Sequence, residues 1–256
     1  MKHIASFSGG KDSTASIILA HEHEEPLDLI IFSEVMFDKN ISGELPEHID
    51  FIKNKCIPKF ESWGNEVKIL RSDKTYLDCF FQTVEKPLRH AHNKGKNKGF
   101  PMAGHCNINR DCKSKPIHEF YKNMQDEVTQ YVGIAIDEEK RLERIRISDV
   151  PKISLLEKYG YTEQMAFDLC KEYDLLSPIY DFAPRGGCWF CPNARDCELR
   201  HLRNNHRDLW NKLLELEKTP NLIGDKWNTL TKTSIATKEE QFRWEDAQLT
   251  VFDYLE

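Results

Sequence analysis

The chain has 256 residues, of which 39% are hydrophobic and 30% are charged. That composition is typical of a folded globular protein and excludes collagen-like, low-complexity and intrinsically disordered classes. The 36 lysines and arginines against 42 aspartates and glutamates give a net charge of −6, so a nucleic-acid partner would need a local basic surface. No apolar run is as long as a membrane span, and we expect a cytoplasmic protein with no membrane partner.

Strands alternate with helices along the sequence. In chain order, the predicted elements are a strand at His3–Phe7, a helix at Thr14–His21, a strand at Leu27–Phe32, a helix over 44–64, a strand at Val67–Leu70, a helix at Tyr76–Thr83, a loop over 89–99, a helix at Pro116–Met124, a strand at Val128–Ile136, a helix after Thr162 and a helix over 195–217. Beyond residue 228 the pattern predicts nothing. The alternation favours a mainly parallel α/β sheet with flanking helices and ligand sites at the carboxyl ends of its strands.

A glycine turn stands between the first strand and the first helix, with the sequence Ser8-Gly9-Gly10-Lys11-Asp12-Ser13. Two glycines let the backbone approach an anion, and the helix N-terminus adds partial positive charge. Lys11 and the hydroxyls of Ser8 and Ser13 supply further donors. The spacing is not that of a Walker A loop or of the dinucleotide-binding fingerprint. The turn therefore predicts a phosphate-binding site, and the alternative is an ordinary strand-to-helix connection.

At these residues the sequence resembles the PP-loop ATP pyrophosphatase superfamily, whose signature is Ser-Gly-Gly-x-Asp-Ser after the first strand. The resemblance implies a Rossmann-like adenine nucleotide alpha hydrolase fold. It also implies that the turn binds the pyrophosphate of ATP, that ATP is cleaved between its α and β phosphates, and that AMP passes to a substrate. Lys11, Asp12 and Ser13 are the predicted catalytic residues. Asp12 is the nearest carboxylate for a Mg²⁺ ion that would help to neutralise the departing pyrophosphate.

The cysteines fall into two clusters that are typical of metal binding. Cys188 and Cys191 form a C-x2-C pair flanked by glycine and proline, and Cys106 and Cys112 lie in a distant loop. A C-x2-C pair and a second pair would supply four thiolates to one centre. With Cys197, five cysteines are available for the four ligand positions. The other cysteines have no such spacing and are predicted to be structural: Cys56, Cys79 and Cys170.

Here the resemblance narrows to the phosphoadenosine phosphosulfate reductase family, and most closely to its members from phages and mobile elements. It rests on the run Cys112–Ile117, on Gly133–Arg141 and on Tyr180–Pro192, in that order. Carried over residue by residue, it implicates Cys106, Cys112, Cys188 and Cys191 in a [4Fe–4S] cluster. The first pair is adjacent in the assimilatory reductases but separated by five residues here, so Zn²⁺ stays an alternative.

The same resemblance places further residues around a bound nucleotide and its substrate. Phe32 and Gly133 are assigned to the nucleotide site together with Ser8, Gly9 and Gly10 of the turn. Lys113, Lys115 and Arg141 are assigned to anionic groups of the substrate; without the family they would be solvated charges. The family's sulfite-forming reductases use a cysteine near the C-terminus, whereas this sequence has none after Cys197.

The function expected from these features is ATP-dependent adenylylation that releases pyrophosphate, for sulfur transfer to a nucleic acid (tRNA or DNA) or to a small molecule. A sulfur donor protein would be a partner. The alternatives are a sulfonucleotide reductase and a non-catalytic nucleotide- or nucleic-acid-binding module with structural zinc. We predict a nucleotide-binding domain over 1–180 and a cysteine-containing helical extension over 181–256, packed on it.

Two basic segments are candidate contacts for nucleic-acid phosphates. One is the loop at 89–98, with Arg89, Lys94, Lys96 and Lys98. The other is the helix after Cys191, with Arg195, Arg200, Arg203 and Arg207 and the histidines His201 and His206. Both would give salt-dependent binding without base recognition. A solvated polar face explains each segment almost as well.

Overall fold

A computed structural model describes residues 1–87, 90–148 and 150–253 of the chain. The strands are β1 (Lys2–Phe7), β2 (Leu29–Ser33), β3 (Glu66–Leu70), β4 (Asn97–Gly99), β5 (Val128–Tyr131), β6 (Lys152–Ile153) and β7 (Leu222–Gly224). The α-helices are α1 (Lys11–Glu22), α2 (Pro46–Phe51), α3 (Ile57–Ser62), α4 (Tyr76–Phe80), α5 (Lys115–Lys122), α6 (Glu139–Arg146), α7 (Leu155–Tyr159), α8 (Glu163–Glu172), α9 (Asp196–Asn205), α10 (Arg207–Glu217) and α11 (Ile235–Asp253). A π-helical turn at Ile52–Cys56 joins α2 to α3.

The chain divides into two compact units that interleave along the sequence. The first contains Met1–Val35, Glu44–Ser72 and Lys113–Gly186, and the second contains Met36–Gly43, Asp73–Cys112 and Gly187–Glu256. Neither unit is one continuous stretch, which a linear scan of composition does not show. The division into a nucleotide-binding domain and a C-terminal extension near residue 180 stays a prediction about functional domains.

The first unit is built on a five-stranded sheet of order β3-β2-β1-β5-β6 in which all neighbours are parallel. This confirms the predicted α/β class with a mainly parallel sheet and flanking helices. After β1 the chain adds β2 and β3 on one side, and it later places β5 and β6 on the other. The connections after β1 and β5 therefore diverge at adjacent strand ends, which is where parallel α/β sheets bind ligands.

Apolar side chains cover both faces of this sheet, because successive residues of a strand point to opposite sides. On one face, Ile4, Leu29 and Ile31 form a buried cluster. On the other, a larger cluster that includes Phe7 and Ile30 packs with the apolar residues of α1. All five positions of β2 are buried, as predicted for a strand covered on both sides.

The second unit combines helices with a two-stranded parallel sheet of β4 and β7. Its helices α9, α10 and α11 meet around the buried carboxylate of Glu239. This carboxylate accepts hydrogen bonds from Arg203 (3.1 Å), Arg207 (2.9 Å) and the Trp210 indole (2.7 Å). Burial opposes ionisation of Glu239, but these hydrogen bonds outweigh it and lower its pKa to about 2.

Several predicted bounds were wrong for identifiable reasons. The strand predicted to run to Ile136 ends at Tyr131, because the backbone at Gly133 packs against α1 instead of continuing along the sheet. The helix predicted over 195–217 is two helices, separated at His206, whose φ of −131° is not helical. The loop over 89–99 contains β4, and the segment beyond 228 contains α11, which no sequence pattern predicted.

Candidate functional site

The predicted phosphate-binding turn connects β1 to α1 at the carboxyl end of the central strand. Gly9 has a φ of +74°, and a Cβ there would lie 2.6 Å from side-chain carbons of both His48 and Ile52. Only glycine satisfies both conditions, the left-handed backbone and the missing side chain. Glycine at position 9 therefore lets the backbone of the turn pack closely against the side chains of His48 and Ile52.

The two serine hydroxyls close the turn on itself. Ser13 Oγ donates to the Gly10 carbonyl at 3.0 Å and accepts from the Ser8 amide at 3.2 Å. The Ser8 and Ser13 hydroxyl oxygens lie 3.1 Å apart. The sequence analysis assigned both hydroxyls to a bound phosphate. In the structure they hold the loop in shape, and Ser13 uses its proton on the Gly10 carbonyl.

Several backbone amides of the turn at the start of α1 have no acceptor in the described part of the protein. The Lys11 amide donates to the Tyr180 hydroxyl at 2.8 Å. Within the residues that the structure describes, the amides of Gly9, Asp12 and Ser13 donate to no protein acceptor. Three unused N–H groups at a helix N-terminus are suited to an anion, and binding of a phosphate there stays a prediction.

Two side chains that were not predicted from the sequence, His48 and Tyr180, form hydrogen bonds with the backbone of the turn. The buried His48 ring places Nε2 3.2 Å from the Ser8 carbonyl oxygen and Nδ1 2.8 Å from the Ser177 hydroxyl. Because a carbonyl only accepts, we assign the proton to Nε2, so that Nδ1 accepts from Ser177. Tyr180 holds the Lys11 amide in the same way, and burial raises the pKa of Tyr180 to about 12. His48 belongs to no motif, whereas Tyr180 opens the run Tyr180–Pro192 that carried the family resemblance but was given no role there.

Lys11 lies among carboxylates. Its ammonium is 2.9 Å from Asp12 and 3.0 Å from Glu163, and its side chain is only 12% exposed. Burial lowers the pKa of Lys11, but the hydrogen bonds to the two carboxylates outweigh that effect, and the net pKa is raised. Burial raises the pKa of Asp12, and the hydrogen bond from Lys11 opposes the rise. The lysine is therefore held as a cation at the edge of the turn.

Three carboxylates converge at this point. One oxygen each of Asp12, Glu138 and Glu163 lies within 4.8 Å of the others. Oxygen ligands at this separation suit a divalent cation such as Mg²⁺. Of the three, only Asp12 was predicted from the sequence. Glu138 lies within the run that carried the family resemblance, whereas Glu163 is brought in by α8 and had no sequence signature.

The two other predicted nucleotide residues have different surroundings. A Cβ on Gly133 would lie 2.4 Å from the Asp12 carbonyl carbon and 2.4 Å from the Ser13 nitrogen, so Gly133 lies directly against the phosphate-binding turn. Phe32 is fully buried in β2 and packs edge-on against Phe7. Its side chain contributes to the core, and its assignment to the nucleotide site stays a prediction.

The predicted substrate-binding cations lie in separate elements. Arg141 forms an ion pair with Glu138, a member of the carboxylate group. Lys115 is exposed and lies 3.6 Å from Glu119 in the first turns of α5. Lys113 is half-buried, and its carbonyl accepts from the Ser33 hydroxyl at 3.3 Å. These contacts leave the role in substrate binding as a prediction.

The four predicted metal ligands all belong to the second unit, and a fifth thiol joins them. Cys79 Sγ lies 3.8 Å from Cys112 Sγ, and both residues are buried. Burial raises the pKa of Cys106, its amide hydrogen bonds lower it, and Cys191 and Cys79 raise it. The hydrogen bond with Cys79 raises the pKa of Cys112, and burial and Cys188 add to the rise. The thiols that interact in this way therefore lie close together. Cys79 was predicted to be merely structural.

The local geometry suits thiolate ligands. Amides of Ile108 and Asn109 point at Cys106 Sγ, and the Asn109 nitrogen lies 3.4 Å from it. The Cys191 amide donates to the Cys188 carbonyl at 2.9 Å, which closes the C-x2-C segment into a tight turn. Among the described residues, no three cysteine sulfurs lie within 4.8 Å of one another.

The remaining cysteines lie elsewhere. Cys56 and Cys170 belong to the core of the first unit, where burial raises their pKa, to about 12 for Cys170. Cys197 is exposed at the start of α9. Burial in an apolar core suppresses thiolate chemistry, so the first two have the structural placement that was predicted.

Ion pairing compensates three arginines of the predicted basic helix. Arg200 pairs with Asp246 (3.1 Å), Arg203 with Asp246 (2.7 Å) and Glu239, and Arg207 with Glu239, all within the second unit. These arginines join α9 and α10 to α11, so their charge is already compensated. Arg89 lies outside the described residues.

Comparison with known proteins gives one distant relative. An uncharacterized protein of Methanocaldococcus jannaschii, MJ0973, is 25% identical over 228 residues, which cover 83% of this chain and 47% of that protein. The chain thus spans about half the length of the curated relative it matches. No family model matches the sequence. None of the helices that the structure describes is long and apolar enough to cross a membrane.

Proposed function

We propose that this chain is a PP-loop ATP pyrophosphatase-type enzyme, similar to the phosphoadenosine phosphosulfate reductase family, with an adenine nucleotide alpha hydrolase fold. It would adenylylate a substrate and release pyrophosphate, for sulfur transfer to tRNA, DNA or a small molecule. The observation that carries this proposal is the Ser8–Ser13 turn at the switch point of the sheet, with three amides directed at no protein acceptor among the described residues.

The chemistry requires that charge on the departing phosphates be neutralised. An oxygen of the substrate attacks the α phosphorus of ATP, the bond to the bridging oxygen breaks, and that electron pair leaves with pyrophosphate. The amides of Gly9, Asp12 and Ser13 are fixed donors for the pyrophosphate oxygens, so no reorganisation is needed as charge develops there. Lys11 adds a positive charge beside them.

The carboxylate group fits the Mg²⁺ ion that accompanies ATP. Asp12, with Glu138 and Glu163, would hold it, since hard oxygen ligands are those that Mg²⁺ prefers. Bound there, the ion would neutralise phosphate charge. Lys11 now occupies part of that space, and its contacts with Asp12 and Glu163 set how readily a cation enters.

The cysteine cluster supports a [4Fe–4S] centre on Cys106, Cys112, Cys188 and Cys191. Two thiolates on one tetrahedral Zn²⁺ ion lie about 3.8 Å apart, given zinc–sulfur bonds of about 2.3 Å. A [4Fe–4S] cluster holds its four thiolates farther apart than one zinc ion does, and metal analysis distinguishes the two. Such a cluster would supply redox or sulfur-transfer chemistry to the adenylylated substrate.

Two experiments test the proposal. Protein isolated without oxygen is assayed for iron, zinc and acid-labile sulfide, with Cys188→Ala as the variant and Cys56→Ala as the matched control. We expect about four irons and four sulfides per chain, lost only in Cys188→Ala. One zinc and no sulfide would contradict the cluster.

The second experiment measures pyrophosphate release from ATP in the presence of tRNA, DNA and small sulfur acceptors, with and without a sulfur donor protein. Release that depends on one acceptor supports adenylylation. ATP binding without turnover would favour a non-catalytic nucleotide-binding module. Sulfite formation from adenylylated sulfate with a thioredoxin system would favour a sulfonucleotide reductase.

A further inference from the structure

A fully buried tyrosine hydroxyl lies beside the cysteine cluster without a partner. Tyr76 is 0% exposed, and its hydroxyl makes no hydrogen bond to any described residue. Buried hydroxyls in folded proteins are nearly always hydrogen-bonded, and an exception calls for a missing partner. Burial raises the pKa of Tyr76, and the nearby thiols of Cys106 and Cys79 raise it further. The phenol therefore points into the same neighbourhood as the cysteines.

Aromatic side chains pack against the ring of Tyr76. The Tyr76 ring lies 4.2 Å from the ring of Phe190 and 5.4 Å from that of Phe37, measured between centroids. Phe190 is one of the two residues between Cys188 and Cys191, so Tyr76 packs directly against the C-x2-C segment. Because these neighbours offer no acceptor, the Tyr76 hydroxyl gains a partner only if a polar group enters the cluster.

A second buried donor comes from the same helix. Tyr76 and Cys79 are three residues apart in α4, and residues at this spacing lie on one helix face. The start of α4 is fixed by a capping box in which the Thr75 hydroxyl and the Asp78 carboxylate satisfy each other's backbone amides. Cys79 Sγ lies 3.8 Å from Cys112 Sγ. Helix α4 thus presents a hydroxyl and a thiol to the predicted ligands.

We propose that Tyr76 and Cys79 are hydrogen-bond donors to the sulfur atoms of the metal centre, and that Cys79 is not itself a ligand. The proposal rests on the proposed function for the presence of that centre. Once Cys112 is a metal-bound thiolate it can only accept, so the Cys79 S–H donates to it. The Tyr76 O–H donates to a ligand thiolate or to a sulfide. Both are positioning and tuning residues, not catalytic ones.

The physical consequence is a raised reduction potential. Hydrogen bonds to cluster sulfurs withdraw electron density and stabilise the reduced, more negative state. In an aromatic, water-poor environment each such bond is stronger than it would be in water. Removing either donor therefore lowers the midpoint potential while leaving the ligands in place.

The test uses the full chain purified without oxygen, with Tyr76→Phe, Cys79→Ala and Cys79→Ser as variants. Tyr131→Phe, a buried tyrosine of β5 in the first unit, is the matched control. Metal and sulfide are quantified, visible spectra are recorded, and midpoint potentials are measured by redox titration. We expect wild-type metal content in every variant, a lower potential in Tyr76→Phe and Cys79→Ala, partial recovery in Cys79→Ser because serine still donates, and no change in Tyr131→Phe.

Three results would overturn the inference or separate it from the proposed function. An unchanged potential and spectrum in Tyr76→Phe and Cys79→Ala overturn it. Loss of metal in Cys79→Ala, not recovered in Cys79→Ser, makes Cys79 a ligand and also overturns it. If the wild type holds zinc and no sulfide, the cluster of the proposed function fails. The donors are then tested on the Co²⁺-substituted protein, whose thiolate-to-metal bands must shift in the two variants for the inference to stand.

Discussion

Substituting Gly133 by alanine tests whether the phosphate-binding turn depends on the backbone packed behind it. A Cβ at this position would lie 2.4 Å from the Asp12 carbonyl carbon and 2.4 Å from the Ser13 nitrogen. Ordinary contacts of a methyl group begin about 1 Å farther away. Both clashing atoms belong to the backbone, so no side-chain rotation relieves them, and the turn itself must move.

The size of the effect follows from this displacement. Overpacking of a rigid site costs about 1–3 kcal/mol in stability. The amides of Asp12 and Ser13 are two of the three proposed pyrophosphate donors, and a shift approaching 1 Å takes them beyond good hydrogen-bond distance. Losing one or two such bonds weakens ATP binding by roughly tenfold to a hundredfold, since 1.4 kcal/mol corresponds to a factor of ten.

Calorimetric titration with Mg·ATP and thermal unfolding measure the two effects separately. The matched control is Gly186→Ala, where the new Cβ would lie 3.0 Å from the end of the Ile179 side chain and 3.9 Å, an ordinary contact distance, from His48 Nε2. We expect weaker binding in Gly133→Ala and near wild-type binding in Gly186→Ala. If Gly133→Ala loses stability but binds ATP like the wild type, the amides of the turn are not the pyrophosphate site, and the reasoning is refuted.

Further predictions concern charge and metal. Lys11→Ala should reduce ATP turnover by roughly 100-fold or more and leave the metal content unchanged; retained turnover with lost metal would mean that the two sites have been confused. Because the pKa of Glu239 falls from 4.5 to about 2 on folding, its ionisation stabilises the second unit above pH 4.5, and about 3 kcal/mol should be lost as the pH falls toward 2. Glu239→Gln should flatten this part of the stability curve measured by chemical denaturation, and an unaltered curve would contradict the assignment. Cys197→Ala should keep the metal that Cys188→Ala loses, as measured by elemental analysis; the reverse result would make Cys197 a ligand.

The elements that sequence predicted well are those in which local and tertiary preferences agree. The apolar run before Ser33 forms β2, because a parallel strand covered on both faces accommodates a continuous apolar run. The Gly9-Gly10 turn was also predictable from the sequence, because a positive φ and a close backbone approach both require glycine. Local sequence alone was therefore enough to locate the candidate phosphate site.

What sequence could not predict depends on contacts between distant segments. Helix α11 has no apolar periodicity, and it is anchored by Glu239 beneath arginines of other helices. Cys79 has no metal-binding spacing, and only the fold brings it to Cys112. Glu163 reaches the turn from α8, far along the chain from Asp12. Each of these residues acquires its role through tertiary structure, so a pattern in one sequence does not reveal it.

The interleaving of the two units has a consequence for how the protein is made. The second unit is completed only by residues after Gly187, whereas Cys79, Cys106 and Cys112 belong to segments synthesised much earlier. During translation these thiols emerge well before Cys188 and Cys191 exist, and they are exposed to oxidation or to premature metal capture in that interval. A chain truncated after Gly186 keeps every segment of the first unit but lacks the last segment of the second, so it would leave these thiols in the same unprotected state permanently.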